Sequence, residues 1–460
     1  MQISPPDAGA RHLAPELVAR LLSGGVEAGE LAREVLPHLL ALCPGCQATR
    51  DQLEALQREV GHWDYGIALA EGRQAPDLWQ RLQPLSHADR LAAVEDEPAF
   101  QTWGFCRLLL RLAGDAANET PATAARLASL ATVVAGRLGD AYHPAWVRDL
   151  RASSFARLGD ARRAMGELVS AGHAFATARS LLLAGTGDPG LEAEVLTLEA
   201  LLRRDQHRLA EAEVLLDRAC ALCAGTDRLR GGNGMVDSQL VVRALTHRAW
   251  CLHHLGHPRR ADVLLAEAER LADAERFPAL RLAVRLGRVW TAVALSELPL
   301  AETHLPAAHR LAASLGDLPA RLRLRRAEAA IAMVRHQPES AEQSLLDGAS
   351  GLLQANLGHD AALAFLDLAA LYQEQGAAEK LRRLAAGVLP VFSAPDLERD
   401  AFEALLRFQS ACAGDRITAD LLHQLAARIE IARAPSLAWW SASGTVLAKE
   451  RDLDEASSHG

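Results

Sequence analysis

The feature that most constrains this chain is a helix–turn–helix pattern returning about every forty residues. It is clearest in Ala249-Trp250-Cys251-Leu252-His253-His254-Leu255-Gly256-His257-Pro258-Arg259-Arg260-Ala261, which reads as helix, tight Gly-containing turn and second helix. Small residues hold the equivalent place at Ala124, Ala164, Ala212, Ala261, Ala301 and Ala341. Seven residues later come Ala131, Ala171, Ala219, Ala268, Ala308 and Gly348. Helices approach closely where small side chains meet, so these positions predict helix-on-helix packing. A seventh unit centred on Leu381 keeps the spacing without the small residues. The anchors are 40, 48, 49, 40, 40 and 40 residues apart. A lone hairpin cannot bury its apolar face, so a fixed period in this range predicts an all-α solenoid of about seven stacked hairpins.

The bulk properties agree. At 460 residues the chain exceeds what one compact core supports, whereas a solenoid grows by addition. Ala and Leu dominate and β-branched residues are scarce, which favours helix over sheet. The net charge of −9 comes with no Lys/Arg block able to neutralise phosphates, so direct nucleic-acid binding is not expected. No run of about 18 uncharged apolar residues would span a membrane. The first residues lack a basic region leading into an apolar run. Seven cysteines do not form a disulfide framework. Together these point to a cytoplasmic protein.

Taken in order, residues 1–11 read as a flexible N-terminus, 12–60 as a small helical domain, 61–101 as linker and capping helices, 102–440 as the repeats and 441–460 as a disordered tail. Within 61–101, Gly61–Gly66 and Arg73-Gln74-Ala75-Pro76 read as loops, and Leu78–Leu82 and Ala88–Val94 as helical fragments. Trp63, Trp79 and Trp103 read as core anchors of this cap. After Phe392-Ser393-Ala394-Pro395 a last helical pair spans Arg399–Ser410 and Thr418–Arg433, stopped by Pro435.

The most chemically specific spacing is His12-x25-His38-x4-Cys43-x2-Cys46. Pro44 and Gly45 force a knuckle between the cysteines, so both sulfurs can face one centre. The layout resembles the zinc-binding domain of bacterial anti-sigma factors, in which a helical hairpin is closed by a late His and a Cys-x-x-Cys. The likeness covers about residues 12–47, and the gap before Cys43 is one residue longer than that family's. The resemblance implies a structural Zn²⁺ held by His12, His38, Cys43 and Cys46, and a sigma factor as partner. Two thiolates and two imidazoles fill a tetrahedral ion and leave no open position. A hairpin this small needs such a clip, since apolar burial alone does not hold it. The bland alternative is a CPGC turn without metal.

From Thr102 onward the layout resembles the tetratricopeptide repeat. Small residues stand at Ala152, Ala200, Ala249 and Ala329 in first helices. The turns Leu158-Gly159-Asp160-Ala161 and Leu255-Gly256-His257-Pro258 match that family's turn. Units of 40 residues exceed the usual 34, and Leu replaces most consensus aromatics. The two long intervals place turn-rich loops at 185–190 and 224–234. The whole chain is also similar to bacterial proteins that join an N-terminal zinc finger to a repeat array.

The repeat resemblance implies a groove lined by first helices, with Arg243, Thr246, Trp250 and His253 in one unit, Leu286, Trp290 and Val293 in the next, then Arg323, Arg326 and Met333. Aromatic and Arg side chains make effective binding hot spots. The alternative is that Trp250 and Trp290 pack between helices. Cys220-x2-Cys223 suggests either a second metal pair or, lacking a knuckle, two buried small residues. No nucleophile–base order, HExxH or carboxylate pair stands out, so the chain does not read as an enzyme. The expected function is non-catalytic binding of a protein or peptide. In that reading the zinc hairpin serves as an anti-sigma-like contact module in transcription or signalling. The alternatives are a pure scaffold capped by the hairpin, or a peptide sensor, although no helix-turn-helix domain of the kind such sensors carry is visible.

Overall fold

The computed structural model describes residues 65–117, 120–229, 238–272, 277–392, 399–414 and 416–432. His12, His38, Cys43 and Cys46 lie outside them, as does the tail from 433. Among the described residues there are helices and no strands, and these helices form two compact units, one up to Val195 together with Asp227–Leu229, and one from Leu196 to Thr226 and from Ser238 onward.

The first unit contains α1 (Tyr65–Leu82), α2 (His87–Asp96), a 3₁₀ turn (Pro98–Phe100), α3 (Trp103–Ala116), α4 (Pro121–Arg137), α5 (Pro144–Ala164), α6 (Leu168–Leu182) and the start of α7 (Pro189–Asp205). The second holds the rest of α7, then α8 (Leu209–Leu229) as far as Thr226, α9 (Ser238–His254), α10 (Pro258–Leu271), α11 (Pro278–Ala294) and α12 (Leu298–Ser314). It continues with α13 (Leu318–Val334), α14 (Pro338–Gln354), α15 (Gly358–Glu374), α16 (Ala378–Val388), a 3₁₀ turn (Leu389–Val391), α17 (Arg399–Ala413) and α18 (Ala419–Ala432).

Helix starts are written by proline, which stands first in α4, α5, α7, α10, α11 and α14, where its missing N–H is no loss. Among the described residues, helix ends are written by one turn used eight times. A single residue adopts positive φ, and the next N–H donates to the carbonyl five residues back at 2.8–3.0 Å, as in His257 to Leu252. This satisfies end carbonyls that would otherwise lack partners. The helices α11 to α15 are each 17 residues long with three-residue turns between them. Two such helices and two such turns make the forty-residue unit. The added length over the usual repeat therefore lies in the helices, each about 25 Å long.

The anchor alanines mark close helix contacts. Ala212, Ala261, Ala301 and Ala341 are fourth in the second helix of their hairpins, and all are fully buried. Ala124 has the same place in α4. One unit is out of the expected register. Leu158-Gly159-Asp160-Ala161 is not a turn, because α5 continues to Ala164, and the chain turns at Gly166 with φ +79°. Ala171 and Ala178 are the true anchors, both fully buried. Gly159 instead gives room to Phe175, whose ring lies 3.0 Å from where a Cβ would stand.

Three other loop expectations fail in whole or in part, the first because α1 already begins at Tyr65, inside 61–66. Arg73-Gln74-Ala75-Pro76 lies inside α1, which tolerates Pro76 because Ala75 and Leu82 are buried as α1 packs along α3. The second long interval is partly helical, since α8 runs to Leu229. The start of α3 is capped by the Thr102 hydroxyl, which accepts from the Phe105 N–H at 3.2 Å. Trp103 is buried edge-on against Trp146 at 5.9 Å, and Trp79 lies beneath the Arg90 guanidinium at 5.3 Å.

The final helices break the pattern. The helix α18 lies antiparallel along α15. His359 Nε2, near the start of α15, lies 3.0 Å from the Ile429 carbonyl. Gln373 Nε2, near its end, donates to the Ile417 carbonyl at 3.4 Å. Leu422, Leu425 and Ile429 are buried in one cluster with Leu363, Leu366 and Phe408. As a result 13 of the 17 residues of α15 are buried, against 6 of 17 in α13.

Candidate partner-binding groove

The first helices of the second unit, α9, α11, α13 and α15, carry the residues to which the sequence assigns binding. Trp250 is half-buried. Its ring centroid lies 4.0 Å from that of His254, and the Arg204 guanidinium sits 5.6 Å from it. Its apolar edge packs with Ala200, Ala212 and Leu216 of the preceding hairpin. Trp290 is likewise half-buried, packed on Val289, Ala301 and Ile331, with the Arg326 guanidinium 5.4 Å from its ring. Each indole is thus part core and part surface, and each is paired with a cation from a neighbouring first helix.

The remaining candidate residues divide by what holds them. Arg323 donates through Nε and Nη2 to both carboxylate oxygens of Asp360, at 3.0 and 2.8 Å. Arg326 Nε donates to Asp367 at 2.6 Å. These pairs tie α13 to α15 and fix the guanidinium planes. Arg243 and His253 are half-buried, the His253 ring lying edge-on to His254 at 5.3 Å. Val293 and Met333 are half-buried as well. Thr246 and Leu286 are buried in the core, with the Thr246 hydroxyl bonded to the Val242 carbonyl, so neither faces a groove.

Beside Trp290 lies a pocket of about 100 Å³. It is lined by Ala329, Ala330, Leu345, Leu366 and Ala370, by Trp290 and Met333, and by Leu422 and Ala426 of α18, while Arg326, Asp367 and His423 bring polar groups. The pocket exists because alanines face one another between larger neighbours. Sequence reading missed Asp367, Leu422, Ala426 and His423. The spacing Leu422, Leu425, Ile429 marks an amphipathic helix, but nothing in it says that this helix returns onto α15.

Four of the described cysteines are shielded from water to a large extent. Burial pushes the thiols of Cys106, Cys220 and Cys251 up to about 12, and that of Cys223 up to about 11, so all are neutral near pH 7. Among the described residues no three His, Cys, Asp or Glu side chains are grouped to hold a metal ion. None of the described helices is long and apolar enough to cross a membrane.

No family model and no curated protein matches the chain. Solved structures do. A Rap protein complexed with competence and sporulation factor aligns over 76% of this chain and 98% of its own, at 13% identity and a TM-score of 0.52. Aspartyl phosphate phosphatase F from Bacillus subtilis aligns over 82% and 88%, at 14% identity and a TM-score of 0.48. A signal-transduction ATPase with numerous domains and a tetratricopeptide repeat sensor, from Pyrococcus horikoshii, aligns over 96% and 64%, at 13% and 0.48. The fold is an α-solenoid of tetratricopeptide-like hairpins.

Proposed function

We propose that the chain is a non-catalytic regulator whose repeat groove binds a protein or peptide partner. The observation that carries this reading is the surface of α9, α11 and α13, where Trp250 and Trp290 stand half-buried against the guanidinium groups of Arg204 and Arg326, and a mostly apolar pocket adjoins Trp290. Rigid, partly buried aromatics with fixed guanidinium groups lose little side-chain freedom on binding, which is why such pairs dominate interface energetics. The Rap protein of similar fold is held in complex with competence and sporulation factor, and from it we take only that such a fold can hold a second molecule. A photo-crosslinking residue at Val293 should capture the partner. The same residue at Val263, exposed on the second helix α10, should not, and Trp290→Ala should abolish capture. Equal capture at both positions would sink the reading.

The finer part of the reading concerns the N-terminus. His12, His38, Cys43 and Cys46 would hold a structural zinc ion, and the hairpin would act as the contact for a sigma factor. Its basis is the ligand spacing and the resemblance to anti-sigma factors. The purified chain should contain one zinc per molecule, lost in a His38→Ala/Cys43→Ala variant together with sigma-factor binding. A chain free of zinc, or one whose sigma-factor binding survives the change, would leave the scaffold reading, with the hairpin as a cap or absent.

A further inference from the structure

Within the binding role proposed above, we infer that the groove takes an amphipathic helix of a protein partner, lying beside α18 across α11 and α13. An aliphatic side chain of that helix fills the pocket next to Trp290. The occupant is argued from α18 itself. It lies antiparallel on the first-helix face of α15, sends Leu422, Leu425 and Ile429 into the core, and is held at both ends by His359 and Gln373. A first-helix face of this solenoid is therefore already seen covered by a helix with apolar residues at i, i+3 and i+7, the pattern of helix-in-groove recognition.

The pocket is the continuation of that interface. Leu422 and Ala426 of α18 line it together with Trp290, so a helix laid next to α18 would meet both α18 and Trp290. Its volume of about 100 Å³ is the size of one Leu, Ile or Met side chain, and alanines and leucines make up most of its lining. The Arg326–Asp367 pair at 2.6 Å gives the helix a polar contact beside the anchor without needing to rearrange. The wall residue Ala426 matters most, because a larger side chain there would close the pocket from the α18 side.

The test uses the full chain and a fluorescein-labelled synthetic helix with the sequence of residues 416–432 as probe. A control peptide carries Asp at its Leu422, Leu425 and Ile429 positions. The probe should bind and the control should not. Ala426→Leu and Ala330→Leu, both in the pocket lining, should each weaken binding at least about tenfold while the thermal midpoint stays equal or rises, as expected of cavity-filling changes. Hydrogen exchange should show α18 still protected when the probe is bound. Binding unchanged by both filling variants, loss of α18 protection on binding, or no binding to the unaltered chain would each overturn the inference. If Trp250→Ala weakens the probe while Ala426→Leu does not, the groove is the binding surface and only the pocket assignment fails.

Discussion

The eight repeat turns place one residue each at positive φ. In four it is glycine, and in the others His207, Ser296, His336 and Asn356 adopt φ of 55–60°. A side chain there costs about 1 kcal/mol, which glycine avoids in part at the expense of a freer unfolded chain. Ser296 is exposed, so Ser296→Gly should stabilise the second unit by roughly 0.5 kcal/mol, read as a higher thermal midpoint. Gly104 predicts the opposite sign. A Cβ on it would fall 2.4 Å from the Glu71 carbonyl carbon, where α1 meets the start of α3, and the Gly104 N–H donates to the Glu71 carboxylate at 3.1 Å. Backbone cannot yield as a side-chain tip does. Gly104→Ala should therefore cost about 1–3 kcal/mol and speed hydrogen exchange in α1. These two residue types show how far single residues were legible. Gly256 announced its turn, but Gly159 looked the same and serves Phe175 instead. The turns at His207, Ser296 and His336 carried no glycine to announce them.

Between elements, the polar contacts follow the repeat. Arg323 finds Asp360 and Arg326 finds Asp367 at separations of 37 and 41 residues, one unit apart. The forty-residue period was legible, so these partners were too, had charge been read along the same ruler as alanine. What was not legible is α1 carrying Pro76, or α18 turning back, since both depend on which apolar face is left uncovered elsewhere. A second inter-helix cluster gives a pH prediction. His304 of α12 is 7% exposed, facing Glu269 and Asp262 of α10 and Arg285 and Arg288 of α11, with Nδ1 3.8 Å from Glu269. Burial and the two arginines hold its imidazole below the ordinary 6.5, outweighing Glu269 and Asp262. Below pH 6.5 the unfolded chain takes up this proton more readily than the folded one, so stability falls on acidification. Measured by urea unfolding at pH 7.5 and pH 5.5, His304→Asn should lose less stability than the unaltered chain. An identical loss would remove His304 from the account.

For the whole molecule, the solenoid makes stability a local property. Each hairpin rests on its neighbours, and the apolar clusters form separate blocks along the chain. One around Phe105 and Leu130 lies in the first unit, and another around Phe408 and Leu425 closes the second. Damage to one block should therefore not be felt evenly. Phe408 is fully buried among Leu381, Leu405 and Leu422, where α17 and α18 shield α15. Phe408→Ala would leave a cavity worth roughly 3–5 kcal/mol, comparable to much of a domain's net stability. The expected result is loss of hydrogen-exchange protection in α15 to α18, with α3 to α5 exchanging as before. That end also forms the wall of the pocket, so the same variant should weaken a helix bound beside α18 without unfolding the first unit. Uniform loss of protection from α3 to α18 would mean that the hairpins unfold together. The groove could then not be tuned by its closing helix independently of the rest.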